Sequence, residues 1–279
     1  AREGADIHLR HLAYRGSQKV AEQMMDAKDK ILRVALPLAL AAALLGLWQV
    51  MSDLGALNRA LFPSPVSIIT SLFGIKGFWS HVGWSVLRLF AAVAAGSVLG
   101  VVFGVAMGRG SGGLLEDVVS FVMSIPGISW APLFIMIVGF GELPMFIVGI
   151  ITSFFPVAFN VHQGYRDIDR NFLRIASVLD YGGVALLFRV ELPAMANYLI
   201  LAVRNAFSRT WKTIIAVEMI AATGFGLGYV IFDARELLNT RRMYAGILIS
   251  GMVFVIMDAT LFGILDALTV KQWGMKRDA

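Results

Sequence analysis

The sequence predicts an all-α integral membrane protein of about six transmembrane helices. Three observations carry that expectation. Of the 279 residues, 58% are hydrophobic and only 15% charged, with a mean hydropathy of +0.74. Soluble domains lie near 45–50% apolar and about 25% charged, so a soluble fold would leave much of this apolar surface in water. Next, the apolar residues gather into runs near the ~20 residues that cross a bilayer. Finally, most of the basic residues fall between those runs rather than inside them.

Taken in order, residues 1–30 hold six basic and five acidic residues and lack the apolar run of a cleavable signal. Val20, Met24, Ala27 and Ile31 give them a weak apolar face, which reads as an amphipathic helix on the membrane surface or a disordered lead-in. The transmembrane body follows over 31–268, with spans at 31–51, 84–108, 114–138, 143–163, 194–220 and 245–268. Pro126, Pro132, Pro144 and Pro156 interrupt the third and fourth, which are read as two bent helices inside a bundle. A tail of residues 269–279 closes the chain.

Six spans put both ends on one side. With the ends inside, fifteen Lys and Arg lie on the inner side and five on the outer, which orients both termini to the cytoplasm. Within the second span, Ala92, Gly96, Gly100, Gly104 and Gly108 recur every fourth residue. Such a small-residue stripe lets another backbone come close, either within the bundle or on another subunit.

The sequence has no cysteine, hence no disulfide, thiolate metal site or Cys nucleophile. His8 and His11 have i,i+3 spacing without further ligands. The P-loop pattern is missing, and "GFGLG" (224–228) reads as a turn rather than a nucleotide loop. No Ser-His-Asp set or paired carboxylates can be drawn. These absences point away from an enzyme, leaving a transport subunit or a self-contained secondary transporter or channel.

Between the fourth and fifth spans lies a charged loop of about 30 residues, from 164 to 193. Asp169 can cap a short helix in which Phe172, Leu173, Ala176 and Leu179 share one side, with Gly182 and Gly183 as its end. In the fifth span, Arg204, Arg209 and Lys212 sit within apolar sequence. A mid-span cation costs about 2.5–3.5 kcal/mol on insertion scales and so faces protein or water. Arg209 and Lys212 share a face, and Glu218 falls near it. They read either as a translocation path for an anion or as a structural ion pair, with Lys212 reaching outward.

The loop "RIASVLDYGGVALLFRVELPAM" resembles the cytoplasmic loop of ABC importer permeases. "LFPSPVSIITSL" (61–72), "SIPGISWAPLFIMIVGFGE" (124–142), "FFPVAFNVHQGYRDID" (154–169) and "VEMIAATGFGLGYVIFDARE" (217–236) resemble, in order, segments of the nitrate/sulfonate/taurine-type permeases. The resemblance covers about residues 60–265. It implies a type I importer permease in the cell inner membrane, working as a pair with a second copy or a related permease. A cytoplasmic ABC ATPase dimer would carry ATP and Mg and dock on the loop, and this chain would hold no cofactor. A periplasmic or extracellular solute-binding protein would deliver a small oxyanion such as nitrate, bicarbonate or a sulfonate to outer segments 52–83 and 221–244. Lipid is the surroundings, and nucleic acid has no role. Two positions depart from the pattern: Arg174 stands where the family has Glu, and Asp180 where it has Gly. The first departure predicts an acidic docking groove.

Overall fold

The computed structural model describes residues 35–110, 113–221 and 224–268, so the readings of 1–30, of His8 and His11, and of 269–279 lie outside the described residues. The chain divides into two compact units, 1–67 and 68–279. In the first, α1 (Ala35–Asp53) is long and apolar enough to cross a membrane. The Arg59 guanidinium closes its C-terminal end by donating to the carbonyls of Ser52 at 2.8 Å and Asp53 at 2.7 Å. Ser64 then caps the start of α2 (Pro65–Leu72) by accepting from the Ser67 amide.

The second unit is built on three long helices: α3 (Phe78–Arg109), α6 (Glu142–Arg166) and α10 (Ala196–Ala221). α6 is central, packed along α3 on one side and α10 on the other. Ala92, Gly96, Gly100, Gly104 and Gly108 of α3 form the α3–α6 seam. A methyl group on Gly100 would lie 2.8 Å from the Phe154 carbonyl oxygen, and one on Gly104 would lie 2.6 Å from that of Ala158. The small-residue stripe therefore serves packing within this chain.

The third apolar run is bent by 90° between α4 (Gly113–Ser124) and a 3₁₀ turn (Gly127–Trp130) leading into α5 (Ala131–Val138). Pro126 lies at the break, where it lacks an amide hydrogen and biases Ile125 away from helix. α6, by contrast, runs unbroken through Pro156. The fifth run is also bent, by 79°, where α8 (Gly183–Leu186), a π turn (Leu187–Glu191) and α9 (Leu192–Ala194) meet α10. Four helices can span singly, and each bent pair counted as one span gives six. The second span begins at Phe78 rather than 84, because Gly77 at φ 67° and its carbonyl start the helix through the polar residues Ser80 and His81. α11 (Leu227–Glu236) occupies part of the segment read as an outer loop, and it packs against α10 and α12 (Thr240–Leu268). Among the described residues there is no strand.

Candidate functional site

Functional features lie at three levels of the bundle. At one end is α7 (Arg170–Val178). Asp169 caps it, accepting from the Asn171 amide at 2.9 Å. Its end differs from the expected Gly182–Gly183 stop: the helix finishes at Val178, and Asp180 takes the left-handed conformation at φ 56°. Tyr181 donates back to the Ala176 carbonyl and Asp180 to that of Ser177, a Schellman closure. Gly183 instead opens α8. The apolar residues of α7 also divide. Ala176 is buried and Leu173 partly so, while Phe172, Ile175, Val178 and Leu179 are exposed, as are Arg170 and Arg174.

A buried ion pair ties this loop to the bundle. Glu191, with no exposed side-chain surface, accepts from Arg109 Nη2 at 2.6 Å and Nε at 3.1 Å, and from the Tyr165 hydroxyl at 3.2 Å. The π turn is thereby held to the last residues of α3 and α6. Sequence reasoning missed this tie. Glu191 and Arg109 are 82 positions apart, and the only available signal was a lone acid in an apolar stretch.

Farther back along α3, Arg88 joins two carboxylates. Its Nη1 donates to Glu218 at 2.6 Å, its Nη2 to Glu142 at 2.5 Å, and it also reaches the Phe225 carbonyl at 2.9 Å. Glu218 is fully buried and accepts further from Ser85 and from the Gly228 amide, each at 2.8 Å. His81 Nδ1 accepts from the Gly226 amide. This node joins α3, α6, α10 and the start of α11. Glu218 therefore belongs to the Arg88 node and not with Arg209. Arg204 is likewise paired, donating to Asp258 at 2.9 Å and lying over the Phe262 ring.

Between the ends, Arg209 and Lys212 line a cleft of about 240 Å³ beside the broken third run. Ser124, Gly127 and Trp130 come from that run, Thr152 and Phe155 from α6, and Thr213 from α10. Gly127 lies so close to α6 and α10 that a methyl group there would be 2.5 Å from Thr213 Oγ1 and 2.7 Å from Thr152 Oγ1. Of the four residues singled out in the fifth span, only Arg209 and Lys212 share this cleft. Among the described residues no group of three or more His, Asp or Glu is arranged to hold a metal ion.

A charged, capped surface helix thus lies between two spans, in a loop tied to α3 by a buried pair. The model of the binding-protein-dependent transport system inner membrane component family matches residues 96–271. The chain belongs to this family. This permease is 28% identical to a Bacillus subtilis protein named for aliphatic sulfonates transport, over 80% of this chain and 82% of that one. It is 26% identical to the taurine transport system permease protein of Escherichia coli, covering 85% of this chain and 90% of the other. It is 25% identical to the bicarbonate transport system permease protein of Synechococcus elongatus, covering 83% and 88%. The permease thus shares most of its length with each of these relatives.

Proposed function

We propose that the chain is the membrane-spanning subunit of an ATP-binding-cassette importer that moves a small oxyanion, such as nitrate, bicarbonate or a sulfonate, into the cytoplasm. The observation that carries this reading is α7. It is capped at both ends by its own backbone and Asp169, it turns Phe172, Ile175 and Leu179 outward, and the loop that carries it is pinned to α3 through Glu191 and Arg109. An exposed apolar face of this kind suits a protein partner. In this reading the α7 end and both termini face the cytoplasm, where an ATPase dimer holds ATP and Mg and hydrolysis takes place. Closure of that dimer pushes α7, and the buried tie passes the displacement to α3. Asp169, Phe172, Leu173, Arg174, Ala176, Leu179, Asp180, Gly182 and Gly183 form this coupling segment.

A second permease copy or a related subunit completes the path, and a solute-binding protein delivers cargo on the far side. Arg209 and Lys212 form the cationic wall of the path, while Arg204 and Glu218 brace α10 beside it. The names of the relatives, for sulfonates, taurine and bicarbonate, support a small cargo that bears an oxyanion group. The test is uptake by proteoliposomes holding the chain with its ATPase. Uptake should require ATP and Mg, and F172A/I175A should abolish stimulation of hydrolysis by solute. Strong solute flux through the chain without the ATPase would sink the proposal.

A further inference from the structure

α4 is lightly embedded. Of its 12 residues only Val119 is buried, while Leu114, Val118 and Phe121 are exposed. Two points fix it. Beyond its last residue, the Pro126 break leads to Gly127, wedged between Thr152 of α6 and Thr213 of α10. Near its start, the Glu116 carboxylate meets three side chains of α6. Gln163 Nε2 donates to it at 2.6 Å, Arg166 Nη1 donates at 3.0 Å, and His162 Nε2 lies 3.4 Å away. Glu116 and Ser124 are about 12 Å apart along the axis. α4 is therefore a short arm, jointed at the Pro126 break and fastened near its other end by one carboxylate.

The three partners differ. Arg166 is 59% exposed, so water competes for it, and Gln163 is neutral. His162 is buried, and neither of its ring nitrogens makes a hydrogen bond. Buried polar groups are nearly always bonded, so an imidazole left open beside a carboxylate needs a reason. The other titratable and charged groups at this end of the bundle do not supply one. Arg109 of α3 and Glu191 of the π turn pair with each other, and the Tyr165 hydroxyl donates to Glu191. Tyr198 of α10 donates to Asp167. Asp117 of α4 is exposed, as are Asp169, Arg170 and Arg174 at α7. Among the described residues, Glu116 is the carboxylate that faces the ring. A neutral imidazole brings it no charge. An imidazolium brings it a second cation, from the buried side, and closing by about 0.5 Å makes a charge-assisted hydrogen bond.

We propose that His162 is a positioning residue for transport: on taking up a proton it closes on Glu116 and locks α4 against α6, and on losing the proton it frees α4 to swing about the Pro126 break. The inference rests on the permease reading, which sets this end of the bundle in the cytoplasm and makes movement of the broken span part of the transport cycle. Histidine side chains change charge between about pH 8 and pH 5. The lock therefore slows import as the cytoplasm turns acid.

The test uses the chain assembled with its ATPase in lipid nanodiscs, where both faces share one pH. The sequence has no cysteine, so S120C on α4 and A106C on α3, both at exposed positions, take a nitroxide pair. Pulsed-EPR distances should form one narrow population at pH 5.5 and a broader or second one at pH 8. ATP hydrolysis by the parent and H162Q complexes should match at pH 8, where both side chains are neutral. At pH 5.5 the parent should be at least about threefold slower than H162Q. The ATPase's own pH response is common to both and cancels in the ratio. H162N and E116Q should also abolish the pH response of the distances, and either one serves if another variant fails to assemble. Distances in the parent that do not change with pH overturn the inference, as does a pH response that survives in H162Q, or equal hydrolysis by the two complexes at pH 5.5. Hydrolysis at pH 8 reports separately on the permease reading, so an active complex whose α4 ignores pH refutes only the lock.

Discussion

Replacing Gly104 by Ala should destabilise the bundle, although the same change elsewhere in α3 should help it. In a helix interior Ala is better than Gly by about 0.8–1 kcal/mol. Gly83 lies on the same helix, and a methyl group there would meet nothing within 4 Å. G83A should therefore gain close to that amount. At Gly104 the added methyl group would stand 2.6 Å from the Ala158 carbonyl oxygen and 2.8 Å from Val161 Cβ. The first is backbone and cannot swing away. Ordinary contact needs roughly an ångström more, and a gap of that size along the seam forfeits a quarter to a half of each neighbouring dispersion contact. Overpacking of this kind costs about 1–3 kcal/mol, so after the propensity gain G104A should lose up to about 2 kcal/mol.

The two single-methyl variants should thus differ by about 1–3 kcal/mol, with opposite signs relative to the parent. Thermal unfolding in one detergent, followed by tryptophan fluorescence, compares them directly. G100A should behave like G104A, because its methyl group would meet the Phe154 carbonyl at 2.8 Å. If G104A unfolds at or above the temperature of G83A, the α3–α6 seam is not packed at backbone contact and the account of the stripe is wrong.

Three further outcomes follow from the geometry. D180G should steady the end of α7, because glycine adopts the φ of 56° without the strain a side chain brings; slower amide exchange at Asp180 and Tyr181 would show it, and D180V should do the reverse. R88M should cost about 3–5 kcal/mol by leaving buried Glu218 without its cation, and R88M/E218L should recover part of that loss, so additive unfolding shifts in the double variant would refute the coupled node. R174E should weaken assembly with the ATPase and blunt its stimulation, since an exposed arginine here calls for an acidic groove; unchanged assembly and stimulation would remove that expectation.

The spans were legible because a bilayer imposes a length, and about 20 apolar residues in a row leave few other readings. The kink at Pro126 was legible for a local reason too: proline acts on its own backbone and its neighbour's. Asp169 as a cap needed only residues next to it. α11 was also within reach. Leu227, Val230, Ile231 and Ala234 follow the i, i+3, i+4, i+7 pattern of a buried helix face, and all four are buried. The run of glycines before it drew the reading toward a loop.

What local reasoning could not reach is the assignment of charges to partners. Face arithmetic on α10 placed Glu218 with Arg209, but the fold gives Glu218 to Arg88, 130 positions away. Such pairs are set by tertiary packing, and the glycine seam decides it here. Close approach of α3 to α6 brings Arg88 to Glu142 at one end and sets Arg109 beside Tyr165 and Glu191 at the other.

Arg88 and Arg109 are 21 residues apart on one helix, about 31 Å, close to the thickness of the hydrocarbon layer. This stretch of α3 is thus a rod with an ionic anchor at each end and a glycine seam between them. A displacement applied at Glu191 reaches Arg88 without crossing a flexible joint, since α3 runs unbroken from Phe78 to Arg109. Gly108 sharpens the point, because a methyl group there would press on the Tyr165 side chain, 2.5 Å from its Cγ. Tyr165 can yield where a carbonyl cannot, so G108A should cost less stability than G104A. It should instead move the Tyr165 hydroxyl off Glu191. A G108A protein as stable as the parent, assembled with its ATPase but slower in ATP-driven uptake, would separate the tie's role in transmission from its role in holding the fold. Unchanged uptake would mean that Tyr165 contributes nothing to the tie and that Arg109 alone carries it.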